Sequence, residues 1–239
     1  MKPVVFAGPS IFGLAPGHMD GMDMRPPAAR GDILRAFEGG ARVIGLIDGY
    51  FDAAPAVWHK EILFALEGGC LILGAASMGA LRAAECDTFG MMGVGKIYQD
   101  YASGARVSDA DVAVTHAPAE LGYQPLTVAQ VDAEDVILSA FAQEVIPAGI
   151  RDDLLQASAA LHYKERTWGA ILNLVDLEEA QKSRFQADLP CVFDSLKRRD
   201  AEALLTVIRQ NHSADGPVPE RNWQFQHTLF FRDLQNGVL

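Results

Sequence analysis

The sequence predicts an α/β fold: a Rossmann-like three-layer parallel sheet of about four to five strands, followed by an α-helical C-terminal region. Three observations predict it. Apolar runs of strand length (Pro3–Ala7, Arg42–Ile47, Cys70–Ala75) alternate with helical segments, the order of parallel βαβ units. One unit recurs: Ile33-Leu34-Arg35-Ala36-Phe37-Glu38-Gly39-Gly40 matches Ile62-Leu63-Phe64-Ala65-Leu66-Glu67-Gly68-Gly69 at an offset of 29 residues, the length of one α/β unit. Beyond Val131 the texture changes, and Val136, Leu138, Phe141, Val145, Leu154 and Leu155 recur at helical spacing. Residues 1–128 are therefore expected to form the α/β core domain and 129–239 a helical region.

Taken in order, Pro3–Ala7 is the first strand, closed by the turn Gly8-Pro9-Ser10. Residues 11–29, rich in Gly, Met and Pro, read as a long loop that is either a lid or disordered. Arg30–Glu38 is a short helix stopped by Gly39-Gly40, and Arg42–Ile47 is the second strand, ending at Asp48-Gly49. Pro55, with Asp52 as cap, opens a helix to Glu67, stopped by Gly68-Gly69. Cys70–Ala75 is the third strand, and an Ala-rich helix starts after Ser77. The run Gly90-Met91-Met92-Gly93-Val94-Gly95-Lys96-Ile97 nearly spells a phosphate-binding loop. Ile97 lacks the metal-binding hydroxyl and a helix precedes the run, so it is read as a flexible glycine loop over the site, with nucleotide binding as the weaker alternative. Asp109–His116 reads as a turn and then the fourth strand, closed by Pro118. Helices are expected over 165–175, 177–187 and 194–210, with Pro190 between the last two. The aromatic tail from Pro217 to Phe231 either packs back on the domain or docks on a partner.

Composition sets outer limits. Acidic residues outnumber basic ones, 31 to 20, for a net charge of −11, which argues against a nucleic-acid groove and against an anionic membrane surface. Neither a signal peptide nor a membrane-length apolar run is evident, and the cytoplasm is the expected compartment. The three cysteines, Cys70, Cys86 and Cys191, are far apart and form no Cys/His cluster. No metal site, disulfide framework or cofactor is expected from them.

The ends of parallel strands carry the candidate chemistry, because such sheets bind ligands outside their carboxyl edge. The repeat places Asp48 and Ser77 at equivalent positions there. Ser77, between Ala75 and Gly79, has the small flanks that a sharp strand–turn–helix nucleophile elbow demands. It is read either as such a nucleophile or as a simple helix N-cap. His59 or His116 is the candidate base, Asp48 the carboxylate that orients it, and the N–H groups of Met78 and Gly79 the oxyanion site. The same edge, with Gly8, Ser10, Lys60 and Arg82, also reads as an anion-binding site without chemistry.

In this order, Gly8-Pro9-Ser10, Arg30-Gly31-Asp32, Ile47-Asp48-Gly49-Tyr50-Phe51, His59-Lys60-Glu61-Ile62-Leu63, the segment Gly74–Glu85, Gly90–Gly95 and Val112–His116 resemble the TfuA-like family, over about residues 3–128. The resemblance implies a role beside a YcaO enzyme, which uses ATP to activate a peptide amide oxygen for replacement by sulfur. Combining it with the residue reading predicts serine-dependent hydrolysis of a thiocarboxylated sulfur-carrier protein (ThiS-like), which supplies sulfur for thioamide formation on a ribosomal peptide. The alternative is a non-catalytic adaptor that binds and stimulates the YcaO enzyme.

Overall fold

The structure, a computed structural model, describes residues 2–52, 54–192, 194–210 and 223–237. Its centre is a five-stranded, all-parallel sheet: β1 (Val4–Phe6), β2 (Asp23–Arg25), β3 (Val43–Leu46), β4 (Leu71–Ala75) and β5 (Met92–Val94), in the order β2-β1-β3-β4-β5. The helices are α1 (Asp32–Glu38), α2 (His59–Glu67), α3 (Met78–Cys86), α4 (Lys96–Ala102), α5 (Gln130–Ala142), α6 (Ala148–Ala160), α7 (Trp168–Asn173), α8 (Glu179–Val192), α9 (Leu196–Gln210) and α10 (Leu229–Gln235). None of these helices is long and apolar enough to cross a membrane.

The central strands are apolar on both sides, as parallel strands covered on two faces must be. Val4, Phe6, Ile44, Leu46 and Ile72 pack with α1, α2 and α3 through Ile33, Ala36, Ile62, Ala65 and Ala83. The alternate residues Val5, Val43, Leu73 and Ala75 meet Ala201, Leu204, Leu205 and Ile208 of α9. That spacing is one helical stripe, so a helix near the C-terminus completes the third layer. The fit over Gly45 is close: a Cβ there would lie 2.7 Å from Ile208 Cδ1. A separate helical cluster forms around Ile137, Ile146, Leu154 and Ile171.

Several elements differ from the sequence reading. Two strands fall where loops were expected. Within 11–29, a short 3-10 turn at Pro16–Met19 leads into β2 on the sheet edge, and Met92–Val94 is the opposite edge rather than a flexible glycine loop. Asp109–Val112 is a 3-10 turn, and 112–116 is not a strand of the sheet. Its backbone is paired locally instead: His116 bridges Pro125, Ala117 N donates to Gln124 O, and Thr115 N donates to Thr127 Oγ1. The second helix starts at His59, after Trp58, not at Pro55. α8 runs through Pro190 to Val192. Of the tail, Pro217 and Pro219 lie outside the described residues. Phe225, Phe231 and Leu234 pack on Leu34, Leu63 and Phe64, so this part returns to the domain.

Glu61 ties the first two helices together. Its fully buried carboxylate accepts the N–H groups of Trp58, Gly31, Ile33 and Leu34. Burial nonetheless raises its pKa against those four donors. A carboxyl whose folded pKa lies above the unfolded value binds protons more readily when folded. Its titration contributes stability fully below the unfolded pKa, and that contribution is lost as pH rises through the raised value. Glu61→Gln removes this slope. Urea unfolding at a series of pH values is expected to show the native-minus-variant difference in ΔG falling as pH rises from about 4.

Candidate active site

In the order 2-1-3-4-5, the chain changes direction between β1 and β3, and ligand crevices open at such a switch point beyond the carboxyl ends. Here that crevice is a cavity of about 380 Å³. It is lined by Pro9, Pro27, Asp48, Gly49, Tyr50, Phe51, Asp52, Ser77, Val114, Thr115, His116, Tyr163 and Lys164. Asp48, Ser77 and His116 of the expected set therefore meet on one cavity wall or another.

Ser77 sits at the turn from β4 into α3 and is 3% exposed. The turn is tight: Ser77 N donates to Ala75 O at 2.7 Å, and the residue between them, Ala76, has φ +66°. A three-residue turn of this hand is rare and strained for a residue with a Cβ. Ser77 is the N-cap residue of α3 by position, yet its side chain makes no capping hydrogen bond. Among the described residues its Oγ has no hydrogen-bond partner. The bland reading of this serine as a cap is thus unsupported by contact.

The strand register shifts the expected pairing. Leu46 lies opposite Gly74, an offset of 28, one less than the sequence repeat. Carried past the strand ends, that register sets Asp48 beside Ala76 and puts Ser77 one residue further on. Asp48 also has other business. Its carboxylate accepts Gly8 N at 2.8 Å, Ser10 N at 3.0 Å and Ser10 Oγ at 2.7 Å, tying the end of β3 to the loop after β1. Gly8 and Ser10 consequently give their N–H groups to a protein carboxylate, not to a ligand. Asp48 makes no hydrogen bond to a histidine among the described residues.

The two candidate histidines separate. His116 lines the Ser77 cavity, and its Nδ1 lies 2.8 Å from Ala117 O. A carbonyl only accepts, so Nδ1 carries the proton and Nε2 of the neutral ring keeps its lone pair. The ring leans on Tyr50 and Tyr123 at centroid distances of 6.3 and 5.6 Å. His59 instead pairs through Nε2 with Glu85 Oε2 at 2.7 Å. Glu85 is eight residues beyond Ser77 along α3, about 12 Å away by helical rise. His59 is not brought to Ser77.

The expected anion-binding donors are mostly engaged elsewhere. Gly79 N donates to Ile47 O at 3.1 Å, which closes α3 onto β3. Met78 N, at the first position of the helix, has no partner among the described residues, as the first N–H groups of a helix must lack one within it. Lys60 Nζ donates to Gln226 O and stands over the Phe225 ring. Arg82 donates to Val57 O and pairs with Glu85. The near-match to a phosphate loop is filled from within: Lys96 N and Ile97 N donate to the Asp200 carboxylate at 3.0 and 2.8 Å, and Lys96 Nζ pairs with Asp100. No phosphate can take those two donors while Asp200 holds them.

Two cavity residues escaped the sequence reading. Tyr163 OH donates to Asp52 Oδ2, and Lys164 Nζ pairs with the same oxygen at 2.8 Å. The ammonium and the phenol together hold the Asp52 carboxyl below its usual pKa, and the carboxylate in turn raises Lys164. Nothing local marks them: they lie more than a hundred residues from Asp52, and the sequence reads Tyr163 as a core aromatic of the C-terminal helices. The described cysteines carry no chemistry of this kind. Cys70 and Cys86 are buried, and burial pushes both thiols up to about 12, far from thiolate formation at neutral pH. Cys191 lies outside the described side chains. Among the described residues no group of three or more His, Cys, Asp or Glu could hold a metal ion.

No curated protein matches the chain. Residues 48–167, half of its length, match the family described as TfuA-like protein. The matched stretch begins at Asp48, spans Ser77 and His116, and ends just beyond Tyr163 and Lys164. The chain belongs to the TfuA-like family, a family associated with YcaO-dependent thioamide formation.

Proposed function

We propose that this protein is a serine-dependent hydrolase that frees sulfide from the C-terminal thiocarboxylate of a small ThiS-like sulfur-carrier protein. It does so as the partner of a YcaO enzyme in ATP-dependent thioamide formation on a ribosomal peptide or protein. One observation carries the reading. A buried serine hydroxyl, free of any capping bond and held on a strained turn at a helix N-terminus, shares a cavity with a histidine whose Nε2 is available.

The chemistry follows from those parts. Ser77 Oγ attacks the carbonyl carbon of the thiocarboxylate while His116 Nε2 takes the hydroxyl proton. The C–O bond forms, the oxyanion is met by Met78 N at the start of α3, and the C–S bond breaks. His116 returns the proton to sulfur, so hydrosulfide leaves and an acyl-serine remains. Water, deprotonated by the same imidazole, then cleaves the ester. The sum is thiocarboxylate plus water giving carboxylate, hydrosulfide and a proton. Lys164 lines the same cavity, its ammonium paired with Asp52.

The test is sulfide release from a thiocarboxylated carrier by the purified protein, with no release overturning the reading. The two histidines supply an internal comparison. His116→Ala is expected to slow release by about 10²-fold or more. His59→Ala, which removes a partly exposed pair with Glu85, is expected to leave the rate within about twofold.

A second reading is favoured by one feature: no imidazole is hydrogen-bonded to Ser77 Oγ among the described residues. On that reading the protein is an adaptor that activates the YcaO enzyme by binding it. Thioamide formation supplied with excess free sulfide would then still require this protein, and Ser77 would be dispensable.

A further inference from the structure

Beside the Ser77 cavity lies a second one of about 460 Å³, and Pro9 and Val114 line both. Part of its wall is apolar, from Phe12, Leu126, Val136 and Trp168, and part is polar, from Thr127, Asp132, Thr167 and Ser195. Three charged residues line it, Asp132, Lys197 and Arg198. Lys197, in the first turn of α9, is 3% exposed, and its ammonium donates one hydrogen bond, to Val112 O at 2.7 Å. An ammonium has three donors, and the other two have no protein acceptor among the described residues. Burying a lysine with unmet donors is unfavourable.

The local charge says what would meet those donors. Asp48 and Asp132 both act on the ammonium, and each is itself hydrogen-bonded: Asp132 accepts Lys197 N and Ser195 Oγ. Arg198, also on the wall, is paired with Asp194. With two carboxylates already acting on one ammonium, a further anion gains little there. Neutral carbonyl oxygens are attracted. Burial lowers the Lys197 pKa, with the two aspartates opposing it.

We propose that this second cavity receives an extended polypeptide C-terminus, whose main-chain carbonyls take the free donors of Lys197 and whose terminal acyl group is thereby delivered to Ser77. The proposal rests on the hydrolase reading and deepens it. A folded carrier cannot reach a serine that is 3% exposed, whereas an extended tail advances about 3.3–3.6 Å per residue and can thread from one cavity to the next. The apolar part of the wall takes side chains or methylenes, while Lys197 reads only the backbone. The cavity therefore selects for a tail with free main chain and not for a particular sequence.

The experiment uses synthetic peptide thiocarboxylates from a single residue to about six residues long, with sulfide release as the readout. In the full-length protein, kcat/KM is expected to rise by about tenfold or more along the series, chiefly through KM. In Lys197→Met and in Leu126→Asp that gain with length collapses toward unity. Leu126 is 55% exposed, so the second variant tests the cavity without disturbing the fold. If length has no effect while Ser77-dependent release persists, the tail site is wrong and the hydrolase reading stands. If no peptide releases sulfide, the hydrolase reading fails, and the indole N–H resonance of Trp168 decides the cavity. A shift on adding the longest peptide as its carboxylate, absent in Leu126→Asp, supports a peptide site; no shift overturns it.

Discussion

Ser77→Ala is expected to reduce sulfide release from a thiocarboxylated carrier by about 10³-fold or more, leaving the fold intact. The size follows from the role. Removing a nucleophile abolishes the covalent route, and what remains is whatever rate binding and the oxyanion site confer on water. That the fold survives follows from the geometry. The serine Oγ makes no hydrogen bond among the described residues, so its loss leaves no orphaned partner. The change is expected to move ΔG of unfolding by less than about 1 kcal/mol, since a helix cap that makes no bond has little to lose. The two measurements together separate the readings. A lost rate with unchanged urea midpoint supports a nucleophile, and an unchanged rate leaves only the adaptor.

Gly79→Ala should give the largest loss of stability of any single methyl addition at a site residue. A Cβ at Gly79 would stand 1.8 Å from Leu46 O and 2.6 Å from Leu46 C, both backbone atoms of the central strand β3. Neither can swing aside as a flexible side chain can. The same residue donates its N–H to Ile47 O, so α3 rests directly on β3 at this point. Forcing them apart strains the helix that carries Ser77 and is expected to cost about 3 kcal/mol or more. For a chain of this length that lowers Tm by roughly 6–12 °C. Gly149→Ala is the control: nothing lies within 4 Å of a Cβ there, and its φ is unexceptional. Equal Tm values for the two variants would contradict the close approach. Gly79, expected as an oxyanion donor, is thus a spacing residue, and the helix N–H left for that task is Met78 N.

The readable parts of the fold were those whose signals are local. β1, β3 and β4 are buried on both faces, so their apolar runs stand out, and the Gly-Gly stops after Glu38 and Glu67 mark the helix ends. The edge strands β2 and β5 are three residues long and mix exposed with half-buried positions, so no apolar run betrays them. Val112–His116 shows the converse. It is rich in β-branched residues, yet no sheet strand lies beside it, and its backbone groups turn to residues 124–127 instead.

The chain alone determined the parallel α/β architecture, the strand–turn–helix around Ser77, the likeness to the TfuA-like family, and the place of Asp48 and Ser77 just past the ends of two neighbouring strands. Periodicity, small residues and glycine stops act within a few positions of themselves, and such signals survive in one dimension. Tertiary structure alone brought His116 and not His59 into the Ser77 cavity, turned Asp48 toward Gly8 and Ser10, spent Gly79 N on Ile47, and filled the glycine loop with Asp200. It also brought Lys164 to the Ser77 cavity and Lys197 to the cavity beside it, each from more than a hundred residues beyond Asp48. Hydrogen bonds and charges act over a few ångströms of space, and only the folded chain says which groups share that space.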